Sequence, residues 1–312
     1  MKRGCLIGCL VLIALVAGAA AIAFIVLDRL DVLHEAPAIP VEEYAEPAPA
    51  LFVHVQLDRP EVTKLLTDAL DQTPTWLIQK FTPHEVTFTV DPDAASASNN
   101  IVLALNLKRL TGFLDYAIRD IDEWRFWLNQ EIVSAGQEGE GLYVIRSTIP
   151  FLQQLGAAPA EVWTALPHLS PAPAQDHLFH AHVDNRGGRG LWAIAPLLAQ
   201  PPAEYDPARA PVADLAQVEG FLKRFDSAEL TTDLLESGDL EVKVTVQAPT
   251  ATAGESLLFF LMIVRDTAYK ALLQERLVLE GHWQQDGTTL QGTFQVRGFR
   301  ERAMEYIRAR AN

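Results

Sequence analysis

The one local constellation with ligand chemistry is Asp176-His177-Leu178-Phe179-His180-Ala181-His182-Val183-Asp184. On a β-strand successive side chains alternate, so His180, His182 and Asp184 share a face at spacings of about 7 Å. Two imidazoles and a carboxylate suit zinc or another first-row metal. A working site also needs a third or fourth ligand with its own supporting hydrogen bonds, and spacing alone identifies none. An earlier segment, Phe52-Val53-His54-Val55-Gln56-Leu57-Asp58, carries His54, Gln56 and Asp58 on the matching face. The favoured reading of that face is therefore a solvated strand side. A metal site of His180, His182 and Asp184 and a set of hydrogen-bonded interior histidines are its rivals.

Other chemistry is sparse. Asn185-Arg186-Gly187-Gly188-Arg189-Gly190 offers glycine amides and two arginines, which together can cradle an anion. It lacks the spacing of a P-loop or a dinucleotide fingerprint, so a turn eased by glycine is preferred. The sequence has no GxSxG elbow, HExxH helix or EF-hand loop, and no cysteine follows Cys9 to act as a nucleophile. Asp120, Asp122 and Glu123 alternate with Arg119 and Arg125, the pattern of a solvated helix face rather than a glycosidase pair. Trp124 and Trp127 are read as core. The tail carries Arg297, Arg300, Arg302, Arg308 and Arg310, a basic stretch able to meet an acidic partner or to form an exposed terminal helix.

The elements that must position these residues repeat. The strands at 52–58 and 178–184 match at an offset of 126, and Lys80-Phe81-Thr82-Pro83-His84-Glu85-Val86-Thr87 matches Arg224-Phe225-Asp226-Ser227-Ala228-Glu229-Leu230-Thr231 at 144. The 18 extra residues fall in the proline-rich stretch from Gln200 to Val212, a loop-like insertion. Ile101, Leu103, Leu105 and Leu107 then line one strand face, as do Leu240, Val242, Val244 and Val246. A helix follows each: Leu110, Phe113, Leu114, Ala117, Ile121, Trp124 and Leu128 at helical spacing, and residues 255–275, whose LLFFLMIV run predicts the most buried helix of the fold. Hairpins close both copies, 131–135 with 142–146 and 277–283 with 289–296. The expected fold is α+β, an N-terminal transmembrane helix followed by two tandem copies of a β-α-β-β-α-β-β unit with mainly antiparallel sheet.

Composition sets the surroundings. The chain has 312 residues, 49% of them hydrophobic, enough for a substantial core. A net charge of −15 sets nucleic acid aside as a partner. From Cys5 to Leu27 the chain runs 23 residues without a charge, long enough to cross a bilayer. Lys2 and Arg3 before it, against Asp28, Arg29, Asp31 and Glu35 after it, place the N-terminus in the cytoplasm. Ala17-Gly18-Ala19 has the form of a cleavage site, but Phe24-Ile25-Val26-Leu27 follows, which favours retention. Leu6-Ile7-Gly8-Cys9 opens the apolar stretch rather than closing it, which argues against lipidation. Gly4 and Gly8 form a GxxxG pair able to seat a second copy.

The domain reading is a signal-anchor at 1–30, a Pro/Ala/Glu-rich linker at 31–50, a first α+β repeat at 51–156, a linker at 157–175 and a second repeat at 176–312. The linker reads as a semi-rigid spacer. The expected function is a membrane-tethered, extracytoplasmic binding or scaffold protein of a bacterial cell envelope. It is read as non-enzymatic and without cofactor, held in the membrane by residues 5–27 and bound to another envelope protein or an apolar ligand. The alternative is a metal-dependent envelope hydrolase using His180 and His182.

Overall fold

The computed structural model describes residues 36–108 apart from 47, 72, 95, 97 and 98, then 132–148 apart from 140, then 177–190, 193 and 224–311. The anchor, the helix expected at 110–128, the linker at 157–175 and the insertion at 200–212 lie outside the described residues. No described helix is long and apolar enough to cross a membrane.

Among the described residues ten strands form one sheet: Leu51–Gln56 (β1), Glu85–Val90 (β2), Ile101–Asn106 (β3), Ile132–Gly139 (β4), Leu142–Ser147 (β5), Phe179–Asp184 (β6), Ser227–Leu234 (β7), Leu240–Gln247 (β8), Val278–Asp286 (β9) and Thr289–Arg297 (β10). Among the described residues four α-helices accompany them, Pro60–Ala69 (α1), Thr75–Phe81 (α2), Ala251–Gln274 (α3) and Phe299–Ala311 (α4). The class is α+β. All described pairings are antiparallel, in the order β4-β5-β3-β2-β1-β6-β7-β8-β10-β9. The order reads alike from either edge toward the β1–β6 seam. The sequence shifts of 126 and 144 carry the pair His54↔Thr87 onto the observed pair His180↔Thr231, and Val53↔Phe88 onto Phe179↔Thr232. The residues from 51 to 147 and from 179 to 297 thus contribute to one continuous sheet rather than to two separate ones.

Period-two alternation gives the sheet an apolar and a polar face. On the apolar face Val246 and Leu290 pack with Leu257 and Leu261 of α3, and Leu51, Val90 and Ile101 form a cluster nearer the seam. Thr250 caps α3, its hydroxyl accepting from the Ala253 amide at 3.1 Å, the usual reason a helix starts at threonine. α3 differs from expectation. It buries Gly254, Leu257 and Leu261 only, while Phe259, Met262, Ile263 and Val264 are exposed. A sheet covers one side of a helix, so an all-round apolar run leaves the far side bare unless something else lies on it. Between β1 and β2 the chain forms two short helices, α1 and α2, where one was expected, and α4 extends beyond the closing hairpin.

The segment read as a spacer is also different. Residues 36–45 pack as a strap on the face of the sheet's first half that carries His54 and Thr87. Ile39, Val41, Tyr44 and Ala45 cover Val102, Ala104, Leu142 and Val144. The Ile39 amide donates to Asn106 Oδ1 at 3.2 Å, and Asn106 Nδ2 donates back to the Ile39 carbonyl at 2.9 Å. Ala36 donates its amide to the Lys108 carbonyl at 3.0 Å, and its own carbonyl lies 2.8 Å from His84 Nε2. Gly141 must be glycine here: φ is +77°, and a Cβ would fall on the Leu107 carbonyl oxygen and 2.6 Å from the Ala36 Cβ. Backbone pairing of this kind compensates for the absence of apolar periodicity. Tyr44→Phe, which removes the strap's hydroxyl bond to Thr87, is expected to lower stability by about 1 to 2 kcal/mol in urea titration. An unchanged midpoint would show that the strap does not hold at that point.

Candidate functional site

The polar face of the seam places the predicted histidines together. His54 of β1 and His180 of β6 are register partners, and His182 lies opposite Phe52. All three imidazoles are buried, 2%, 1% and 7% exposed. The solvated reading of this face is therefore replaced by an interior one. Phe52 stacks beside His54 and meets His180 edge-on at a centroid distance of 5.6 Å.

Each half supplies a carboxylate to its own histidine. His180 Nε2 lies 3.0 Å from Glu229 Oε1, and His54 Nε2 lies 3.5 Å from Glu85 Oε2. Glu85 and Glu229, like Thr87 and Thr231, are aligned at the sequence offset of 144. On the first side a chain of contacts continues: His54 Nδ1 to Thr87 Oγ1 at 3.1 Å, and Thr87 Oγ1 to the Tyr44 hydroxyl at 3.0 Å. The order carboxylate, imidazole, hydroxyl is that of a nucleophilic triad. Thr87 is 1% exposed and lies beneath Tyr44 of the strap, so a substrate has no approach to its hydroxyl.

Burial governs the titration of these groups. It brings His54 down to about 4, with His180 adding to the effect. It also lowers His180 and His182, against the raising effect of Glu229. The neutral imidazoles keep one nitrogen each to satisfy. His180 Nδ1 and His182 Nε2 have no hydrogen-bond partner among the described residues. Glu85 is raised by burial, with the Asn106 amide opposing, and burial raises Tyr44 strongly.

Asp184, the third residue of the predicted ligand set, is engaged elsewhere. Arg186 donates to both of its oxygens, Nε at 2.9 Å and Nη2 at 2.8 Å. Arg189 Nη1 stands 3.5 Å from Asp184 Oδ2, while its Nη2 and Nε donate to Asp91 and Asp93, each at 2.6 Å. Arg189 is 2% exposed. The loop is the glycine-eased turn preferred over an anion cradle: Gly187 and Gly188 have positive φ, and its arginines turn onto carboxylates of the same chain. Among the described residues no group of three His, Cys, Asp or Glu side chains is placed to hold a metal ion. The basic tail is likewise paired internally: Arg300 with Asp68, Arg302 with Glu275 and Glu305, Arg297 with Glu280, and Arg308 with the carbonyls of Asp68 and Ala69.

The buried seam is a structural polar core, and the most exposed large apolar side chain on α3 is Phe259, at 69%. The fold and site together define an α+β protein with a continuous antiparallel sheet and one apolar helix face turned outward. No family model and no curated protein matches the chain. Among solved structures, crystal form I of TP0453 is similar over 88% of this chain and 98% of that one, at 12% identity and a TM-score of 0.36.

Proposed function

We propose that this chain is a membrane-tethered, non-enzymatic binding or scaffold module of a bacterial cell envelope, built from a duplicated α+β unit whose halves share one sheet. The observation that carries the binding role is the outward apolar face of α3, where Phe259, Met262 and Ile263 lie at helical spacing in water. The uncharged stretch from Cys5 to Leu27 supplies the tether, with the domain on the extracytoplasmic side. Because the strap begins at Ala36, only residues 28–35 connect that stretch to the domain, a reach of at most about 29 Å. The partner, a protein or apolar ligand, is then at or close to the membrane. A sealed histidine seam supports the non-enzymatic reading. The mirror-like strand order and the transfer of strand pairs by the sequence offsets support the duplication.

A photo-crosslinking residue at position 263 of the full-length protein in intact membranes tests this. Adducts to a protein or lipid are expected, and they should disappear with Phe259→Ser/Met262→Ser. Absence of any adduct overturns the reading. Stoichiometric zinc in the purified protein, lost with activity in His180→Ala/His182→Ala, would replace it with the metal-dependent hydrolase.

A further inference from the structure

We propose that the outward face of α3 is the interface of a two-fold dimer, in which a second copy of this chain docks its own α3 antiparallel on the first. The proposal rests on the reading of that face as a binding surface and names its occupant. α3 turns Gly254, Leu257 and Leu261 to the sheet and carries Phe259, Met262 and Ile263 on the opposite side, 69%, 46% and 50% exposed. Spacings of three and four residues make them one ridge, the form that packs into the groove of another helix.

Charge selects the occupant and its direction. Glu255 and Lys270 stand on the same outward side as the apolar ridge, both exposed, and are equally distant from the midpoint between Met262 and Ile263. An antiparallel crossing about that midpoint sets Glu255 against the partner's Lys270, and Lys270 against the partner's Glu255. A parallel crossing would set like charges together. The antiparallel arrangement also places the helix dipoles head to tail and is isologous, so it closes at two copies. Asp266 carries its own cation: Arg265 donates to it at 2.6 and 3.1 Å. A lipid surface fits less well. Inserting this ridge in a bilayer would press Glu255 and Asp266 toward the headgroups, on a chain whose net charge is −15.

The test uses the full chain in detergent, with Cys5→Ser/Cys9→Ser to remove the native thiols. Ile263→Cys is expected to give a disulfide-linked dimer on mild oxidation, whereas Gln291→Cys, exposed on the other face of the sheet, is expected to stay monomeric. By sedimentation, Glu255→Lys and Lys270→Glu should each weaken the dimer about tenfold, and the double exchange should restore it. A chain monomeric at every concentration, or a double exchange no better than the singles, overturns the proposal. Lipid or foreign-protein adducts at position 263 with no self-crosslink overturn it too but leave the tethered binder standing. No adduct of any kind removes both.

Discussion

Arg189→Met is expected to lower the unfolding free energy by about 3 to 5 kcal/mol, the cost of leaving buried carboxylates without their cation. Asp91 and Asp93 lie in the loop after β2, in the first half of the sheet, and Arg189 follows β6 in the second. The side chain therefore ties the halves together beyond the β1–β6 ladder. Asp184 keeps Arg186 when Arg189 is lost, so the unpaired charge falls on Asp91 and Asp93. Burial and the neighbouring Asp93 already push Asp91 upward, so protonation relieves part of the loss in acid. The defect should accordingly be larger at pH 8 than at pH 5. Arg189→Lys should recover little, because one ammonium lacks the planar fork that meets two carboxylates from separate nitrogens. Urea titrations of the three proteins decide this. A methionine variant as stable as the parent would mean that the cluster is neutral overall.

Much of this frame was legible in the sequence, and the reasons it stopped where it did are physical. Alternation places Leu240, Val242, Val244 and Val246 on one side, and the structure puts Val246 in the core cluster under α3. The same alternation shows that His54 or His180 shares a face with its neighbours without showing what covers that face. Two aligned segments held the clue that the histidines are interior: Glu85 and Glu229 correspond, as do His54 and His180, and a carboxylate kept beside an imidazole in both halves is a pairing signal. The strap reads as a spacer because proline and alanine carry no period, whereas its attachment runs through its own backbone groups at Ala36 and Ile39, paired with the Lys108 carbonyl, the His84 ring and the Asn106 side chain. Arg189 reaches partners 96 and 98 residues away, a separation with no local signature. The LLFFLMIV run predicts the most buried helix because hydrophobicity records that a face avoids water and not which surface satisfies it.

Protonating its buried histidines should cost this protein stability as pH falls. His54 has a folded value of about 4 against an ordinary 6.5, and His180 and His182 are lowered as well. Between those limits the unfolded chain binds more protons than the folded one, so stability rises with pH across the window. The contribution is full above about 6.5 and is lost as pH falls toward 4. For His54 alone it amounts to about 3 kcal/mol, with His180 and His182 adding in the same direction. Glu85 and Asp91 work oppositely: raised folded values mean that their contribution is present in acid and declines as pH rises. They oppose the histidines across the same pH window, so the histidine contribution is read from the difference between the parent and a histidine variant. In urea titrations from pH 7.5 to 4.5 the parent should therefore lose about 3 kcal/mol relative to His54→Gln as pH falls, even where the variant is the less stable at neutral pH. Parallel pH profiles for the parent and His54→Gln would show that the His54 imidazole is not the proton acceptor that opens the seam.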